Sequence, residues 1–153
     1  MIVLLEDNMP ARQYKEFFHR YIEAYNQGLK GELDTHLIRS FFTEQFFAAG
    51  PDSVETGSNN QFFSETLKKA YSFYQKIGTR EMHLRNLMVT PIDRFHDMVK
   101  VYYRADYTPE GMPQKSMDFD VTYFIQNSEN GPKIFGFVAG DEMQAYRDAG
   151  LVS

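Results

Sequence analysis

The spacing of apolar residues changes period once along the chain, near residue 80, and that change restricts the fold more than any single residue does. Tyr14, Phe17, Phe18, Tyr21, Ile22, Tyr25 and Leu29 recur at three and four, which is one face of an amphipathic helix. The pattern stops near Gly28 to Gly31. Leu33, Leu37, Ile38, Phe41 and Phe42 predict a second helix that breaks by the run AAGP. Phe63, Leu67, Ala70, Tyr74 and Ile77 predict a third, with Ser58 and Gln61 at capping-box spacing and Gly78 suited to the C-terminal stop.

After Arg80 the period is two. Val99, Val101, Tyr103, Ala105 and Tyr107 share one side of a strand, with Lys100, Tyr102, Arg104 and Asp106 on the other. Met117, Phe119, Val121, Tyr123 and Ile125 alternate in the same way with Ser116, Asp118, Asp120, Thr122 and Phe124. A strand from about Met82 to Ile92 precedes these, joined across RFHD; TPEGMP links the middle pair, and NSENGP is a turn before the last strand, KIFGFVAG. Connections this short predict an antiparallel meander. The expected fold is α+β: three N-terminal helices packed on a curved four-stranded antiparallel sheet, with a short C-terminal helix, in a single domain spanning residues 1–153.

The chain ends its last strand on GDE, which raises the question of a catalytic carboxylate pair. Asp141 precedes EMQAYRDAG, with Gln144 three positions on and Gly150 after the run. Asp141 is therefore read as an N-cap and Glu142 as a first-turn acid.

Composition narrows the function classes. Of 153 residues, 42% are hydrophobic and 24% charged, an ordered globular balance. A formal net charge of -5 gives no sequence-wide basic footprint, so neither nucleic acid nor an anionic membrane is an expected partner. The absence of cysteine excludes disulfides and thiolate chemistry. The opening MIVLLEDN carries only a short apolar run and no basic leader, so the expectation is a cytoplasmic protein with neither signal peptide nor membrane span. His19, His36, His83 and His96 are scattered, which predicts no metal site, and no phosphate-loop, dinucleotide or nucleophile-elbow motif suggests a cofactor.

The run RYIEAYNQG, Arg20 to Gly28, resembles the first-helix motif of ketosteroid isomerases and SnoaL-like cyclases, R-Y-x-x-A-x-N-x-G, and GPKIFGFVAGDE is similar to their final hairpin and strand. With the element order, roughly residues 11 to 145 resemble the nuclear transport factor 2-like superfamily. That resemblance implies a cystatin-like cone: helices closing over a curved sheet around a mostly apolar pocket open at one end. It also implies a first-helix tyrosine and a strand aspartic acid that hold a developing enolate oxygen, with a separate carboxylate moving the proton.

Carried over residue by residue, Tyr21 takes the tyrosine role, although Phe17, Phe18 and Tyr25 on its face favour reading it as a packed core aromatic. DVTYF places the oxyanion role on Asp120. The pleat argues otherwise, because Asp120 shares a face with Ser116, Asp118 and Thr122, where it would pair with Lys100 or Arg104. The proton-moving acid precedes a proline in the isomerases; Gly50 stands there in AGP, and Asp52 two residues on reads as a loop acid. His36 is the remaining candidate base if it turns inward. Phe17, Tyr25, Tyr103, Phe119, Val121 and Tyr123 are the expected ligand contacts if the apolar faces line the pocket.

Two functions remain open: a pocket for a small hydrophobic molecule, which extends to an isomerase, cyclase or dehydratase using Tyr21, and a non-catalytic dimerisation module. Whether the chain is an enzyme turns on a carboxylate or imidazole within hydrogen-bond reach of Tyr21. Tyr102 and Phe124 on the otherwise polar side of the sheet predict a homodimer through it.

Overall fold

A computed structural model describes the backbone from residue 4 and side chains from residue 12. The expectation for the first eight residues falls on side chains outside that range. Helix α1 (Leu4–Leu29) leads through α2 (Thr35–Arg39) into strands β1 (Phe42–Ala49) and β2 (Val54–Ser58), then α3 (Gln61–Lys76). The meander follows as β3 (Thr79–Pro91), β4 (His96–Tyr107), β5 (Lys115–Ser128) and β6 (Gly131–Ala139), and α4 (Glu142–Asp148) follows β6. Strand order is β2-β1-β6-β5-β4-β3, with β1 parallel to β6 and the other neighbours antiparallel.

The fold is α+β, but the expectation of three helices on four antiparallel strands is corrected to a six-stranded mixed sheet. The expected second helix shrinks to the five residues of α2, and Phe42 to Ser58 form a strand pair. Phe41 and Phe42 satisfy both periods, which carried the helical pattern too far. Both faces of β1 carry aromatics: Phe46 turns inward against Phe42 and Phe63, at ring centroids 5.1 and 4.9 Å, while Phe47 turns outward against Phe124 at 5.6 Å. Such a strand loses its polar–apolar alternation. Val54 is the one apolar side chain of the edge strand β2, and it is exposed.

The capping residue of α3 is Asn60, not Ser58: Asn60 Oδ1 accepts the Phe63 N–H at 3.2 Å, while Ser58 pairs with Gln45 in the β1–β2 ladder. His96 opens β4 instead of sitting in the turn; Asp93 Oδ1 lies 2.8 Å from its Nδ1. The parity of β4 and β5 stands as expected. Val99, Val101, Tyr103, Ala105 and Tyr107 are buried under the helices, and the alternate positions face away.

The motif residues of α1 have structural work. Asn26 bonds both the carbonyl of Met82 (3.0 Å) and its N–H (2.8 Å), acting as a piece of neighbouring strand to β3, the sheet edge. Gly28 leaves room for Tyr71, since a Cβ there would lie 2.5 Å from the Tyr71 ring. Farther along the helix, Tyr14 donates to Asp97 at 2.6 Å, and Asn127 donates to both, tying α1 to β4 and β5 inside the core.

Candidate functional site

Between α1, α3 and the inner face of the sheet lies a cavity of about 580 Å³. Its walls are largely aromatic and aliphatic: Phe42, Phe46, Phe63, Leu67, Val121 and Phe137 among them. Residues of the β1–β2 hairpin and of α3 also line it, Phe62 among them, which is 77% exposed.

The inward parity of β4 and β5 brings Tyr103 and Tyr123 beside Tyr21 and Tyr25 of α1, and all four line the cavity. Tyr21 Oη donates to Tyr25 Oη at 3.3 Å, and the hydroxyls of Tyr103 and Tyr123 share a hydrogen bond at 2.6 Å. Burial, followed by neighbouring phenols, pushes all four well above the ordinary tyrosine range, so they remain protonated donors. Two contacts use two of the four phenolic hydrogens. Tyr123 also lies within reach of Tyr21, so the hydrogen left over is that of Tyr25, which gives the cavity floor a spare donor.

Of the expected ligand contacts, Tyr25, Tyr103, Phe119, Val121 and Tyr123 line the cavity with Tyr21. Phe17 does not: it is turned toward Phe41 (ring centroids 5.3 Å) and lines a separate groove with Arg20, Ala24 and Leu37. Asp120 is on the outer face, 4.0 Å from Lys100 Nζ, and is no part of the cavity wall. His36 is exposed on α2, and Asp52 is exposed in the β1–β2 turn, where Gly50 N–H bonds Ser53 O at 2.9 Å. The structure thus separates Tyr21 from Asp120 and His36. Among the described residues the hydrogen-bond partner of Tyr21 is another phenol, and no carboxylate or imidazole bonds it.

Sequence reasoning missed the acids that do line the cavity, Glu55 on β2 and Glu142 on α4. Asp141 is the N-cap it was expected to be, with Oδ1 accepting the Gln144 N–H at 2.9 Å. Glu142, in the first turn, accepts from Tyr146 Oη at 3.3 Å. Glu142 as a residue is exposed, but its carboxyl end packs among phenols, and this desolvation raises its pKa against the opposing Tyr146 hydrogen bond. Tyr74 and Tyr107, also desolvated and facing Glu142, are each pushed up to about 12.

A carboxyl whose folded pKa is raised keeps its full stability contribution below its unfolded pKa and loses it as pH climbs toward the folded value. Glu142→Gln removes that loss. The melting temperature of the variant relative to the parent should therefore move in the variant's favour as pH rises from the ordinary carboxylate range to neutrality. A gap that stays constant in thermal melts across that range would contradict the desolvated position of the carboxyl.

No helix among the described residues is long and apolar enough to cross a membrane. No curated protein matches the chain in sequence. Solved structures share its fold at low identity. An NTF2-like protein with a cystatin-like fold from Novosphingobium aromaticivorans superposes with a TM-score of 0.67 at 12% identity, covering 98% of this chain and 91% of that one. A ketosteroid isomerase-like protein from Erwinia carotovora atroseptica gives 0.60 at 12% identity, covering 85% and 94%. The beta subunit of the benzoate 1,2-dioxygenase from Burkholderia mallei gives 0.59 at 15% identity, covering 83% and 87%. Residues 12–142 match the family described as NTF2-like protein (DUF6841), so with the long α1, the mixed sheet and the cavity between them, this chain belongs to the NTF2-like proteins of that family.

Proposed function

We propose that the cavity binds a small, largely apolar molecule carrying an oxygen that accepts hydrogen bonds, such as a ketone. The observation that carries this reading is the spare donor of the phenol cluster inside an apolar enclosure of about 580 Å³. Aromatic walls supply most of the binding energy, and a carbonyl oxygen takes the free hydrogen of Tyr25. Binding is favoured over an isomerase, cyclase or dehydratase reaction at Tyr21 because the nearest polar partner of that residue is Tyr25.

A thermal-shift series of aryl and alicyclic ketones, each compared with its deoxygenated hydrocarbon, tests the reading. The ketones should raise the melting temperature more than the hydrocarbons, and Tyr25→Phe should weaken ketone binding about threefold to tenfold. Equal shifts for ketone and hydrocarbon would count against the phenol floor as the recognition element. Turnover of a ketone by the parent protein would instead favour the enzymatic alternative.

The same fold would act as a homodimer through the outer sheet face. Phe47, Phe124 and Phe135 gather there, with ring centroids 5.6 to 6.3 Å apart, beside Val138, which is 44% exposed. Light scattering at micromolar concentration should give a dimer, and Phe135→Glu a monomer. A monomeric parent contradicts the arrangement.

A further inference from the structure

Glu142 is not needed to cap α4, because Asp141 already accepts the Gln144 N–H. Its carboxyl accepts from Tyr146 on its own helix, and it shares the cavity wall with Tyr107 on β4, Tyr74 on α3 and Tyr25 on α1. No lysine, arginine or histidine among the described residues contributes to its ionisation. Tyr74, Tyr107 and Tyr146 line the cavity with Glu142, and the rings of Tyr107 and Tyr146 lie 6.3 Å apart at 72°. An acid without a counter-cation among aromatic side chains is the combination that holds an organic cation.

The cavity as a whole has the same bias. Apart from its tyrosines, the ionisable side chains lining it are Glu55 and Glu142, and no basic side chain lines it. A carboxylate or phosphate on the ligand would meet two acids and nothing to neutralise it, whereas an ammonium would give Glu142 an opposite charge.

We propose that the wall formed by Glu142, Tyr74, Tyr107 and Tyr146 is a subsite for an organic ammonium group, so that the ligand carries a cation at one end and an acceptor oxygen at the other. This rests on the cavity-binding reading above and adds a second point of recognition to it. The ammonium sits against Glu142 and the aromatic side chains, and the oxygen reaches the floor at Tyr25. Anionic molecules of the same shape are rejected.

Three aryl ketones with the same alkyl chain test the subsite by calorimetry: one ending in trimethylammonium, one in its neutral isostere tert-butyl, and one in carboxylate. At about pH 8 the trimethylammonium ketone should bind at least about tenfold more tightly than the tert-butyl ketone, and the carboxylate most weakly. In Glu142→Gln the ratio of the first two affinities should fall toward about one. Each ratio is taken within one protein preparation, so a general loss of folded protein does not imitate the result. The quaternary ammonium does not titrate, and lowering the pH on the unaltered protein should erode the same ratio as the Glu142 carboxyl, with its raised pKa, takes up a proton.

A tert-butyl ketone that binds with no gain from the ammonium overturns the subsite and leaves the cavity reading standing. An ammonium advantage that persists undiminished in Glu142→Gln overturns the assignment to Glu142. Failure of all three ketones to bind removes the cavity reading and the subsite together.

Discussion

Phe18→Ala should cost the fold about 3–5 kcal/mol, a drop in Tm on the order of 10 °C. Phe18 is 0% exposed and meets three rings: Phe17 at 5.0 Å, Tyr21 at 5.8 Å and Tyr123 at 4.8 Å. It is the wedge between α1 and β5, directly behind two of the floor phenols. Truncation removes the transfer energy of a phenyl ring and leaves a void that a helix crossing a rigid sheet cannot collapse. A domain with a net stability of about 5–15 kcal/mol loses a large fraction of it. Urea denaturation gives the number directly. A loss below about 1 kcal/mol would mean that α1 packs on the sheet without this ring.

The second large effect is on binding. Ala70 lies on α3, half-buried, and lines the cavity. Ala70→Trp sends an indole into space that the parent leaves open, so it displaces ligand without forcing side chains out of a filled core, the usual source of overpacking strain. Affinity for a cavity ligand should fall at least about a hundredfold, roughly 2.8 kcal/mol, while the fold survives. Calorimetry with the best ketone from the thermal-shift series measures the first, and near-ultraviolet circular dichroism checks the second. Undiminished affinity in a folded Ala70→Trp protein would put the ligand elsewhere.

The inward faces of β4 and β5 were legible in the sequence because helices cover one side of these strands and the charged pairs of the outer face, such as Arg104 with Asp118 at 2.8 Å, occupy the other. A single buried face writes a period of two into the chain. The same signal is absent where both faces of a strand carry aromatics, as in β1, and where a short polar edge strand has almost nothing to bury, as in β2. The capping error at α3 has a local cause. Ser58, Asn59 and Asn60 are all chemically able to cap, and Asn59 is held by the carbonyls of Arg39 and Phe42, leaving Asn60 at the helix start.

The phenol floor was half visible. Tyr21 was marked by its motif and Tyr103 and Tyr123 by strand parity, but their convergence with Tyr25 required the register of β4 and β5, in which Tyr103 pairs with Phe119 and Val99 with Tyr123. Phe17 shows the limit of a helical face: one turn before Tyr21, it turns toward Phe41 instead of the cavity. Glu142 was read correctly as a first-turn acid. Its place in the cavity wall was invisible because nothing in EMQAYRDAG tells where α4 lies relative to Tyr74 and Tyr107, residues that are distant in sequence.

The central claim is that an acceptor oxygen meets the spare phenol donor inside this cavity, and the infrared carbonyl stretch of a bound, carbon-13-labelled ketone reports that contact directly. In the parent the stretch should move to lower frequency than in an apolar solvent, and Tyr25→Phe should return part of the shift. A ketone that binds with its carbonyl stretch unmoved, or with the same shift in parent and Tyr25→Phe, would contradict the account.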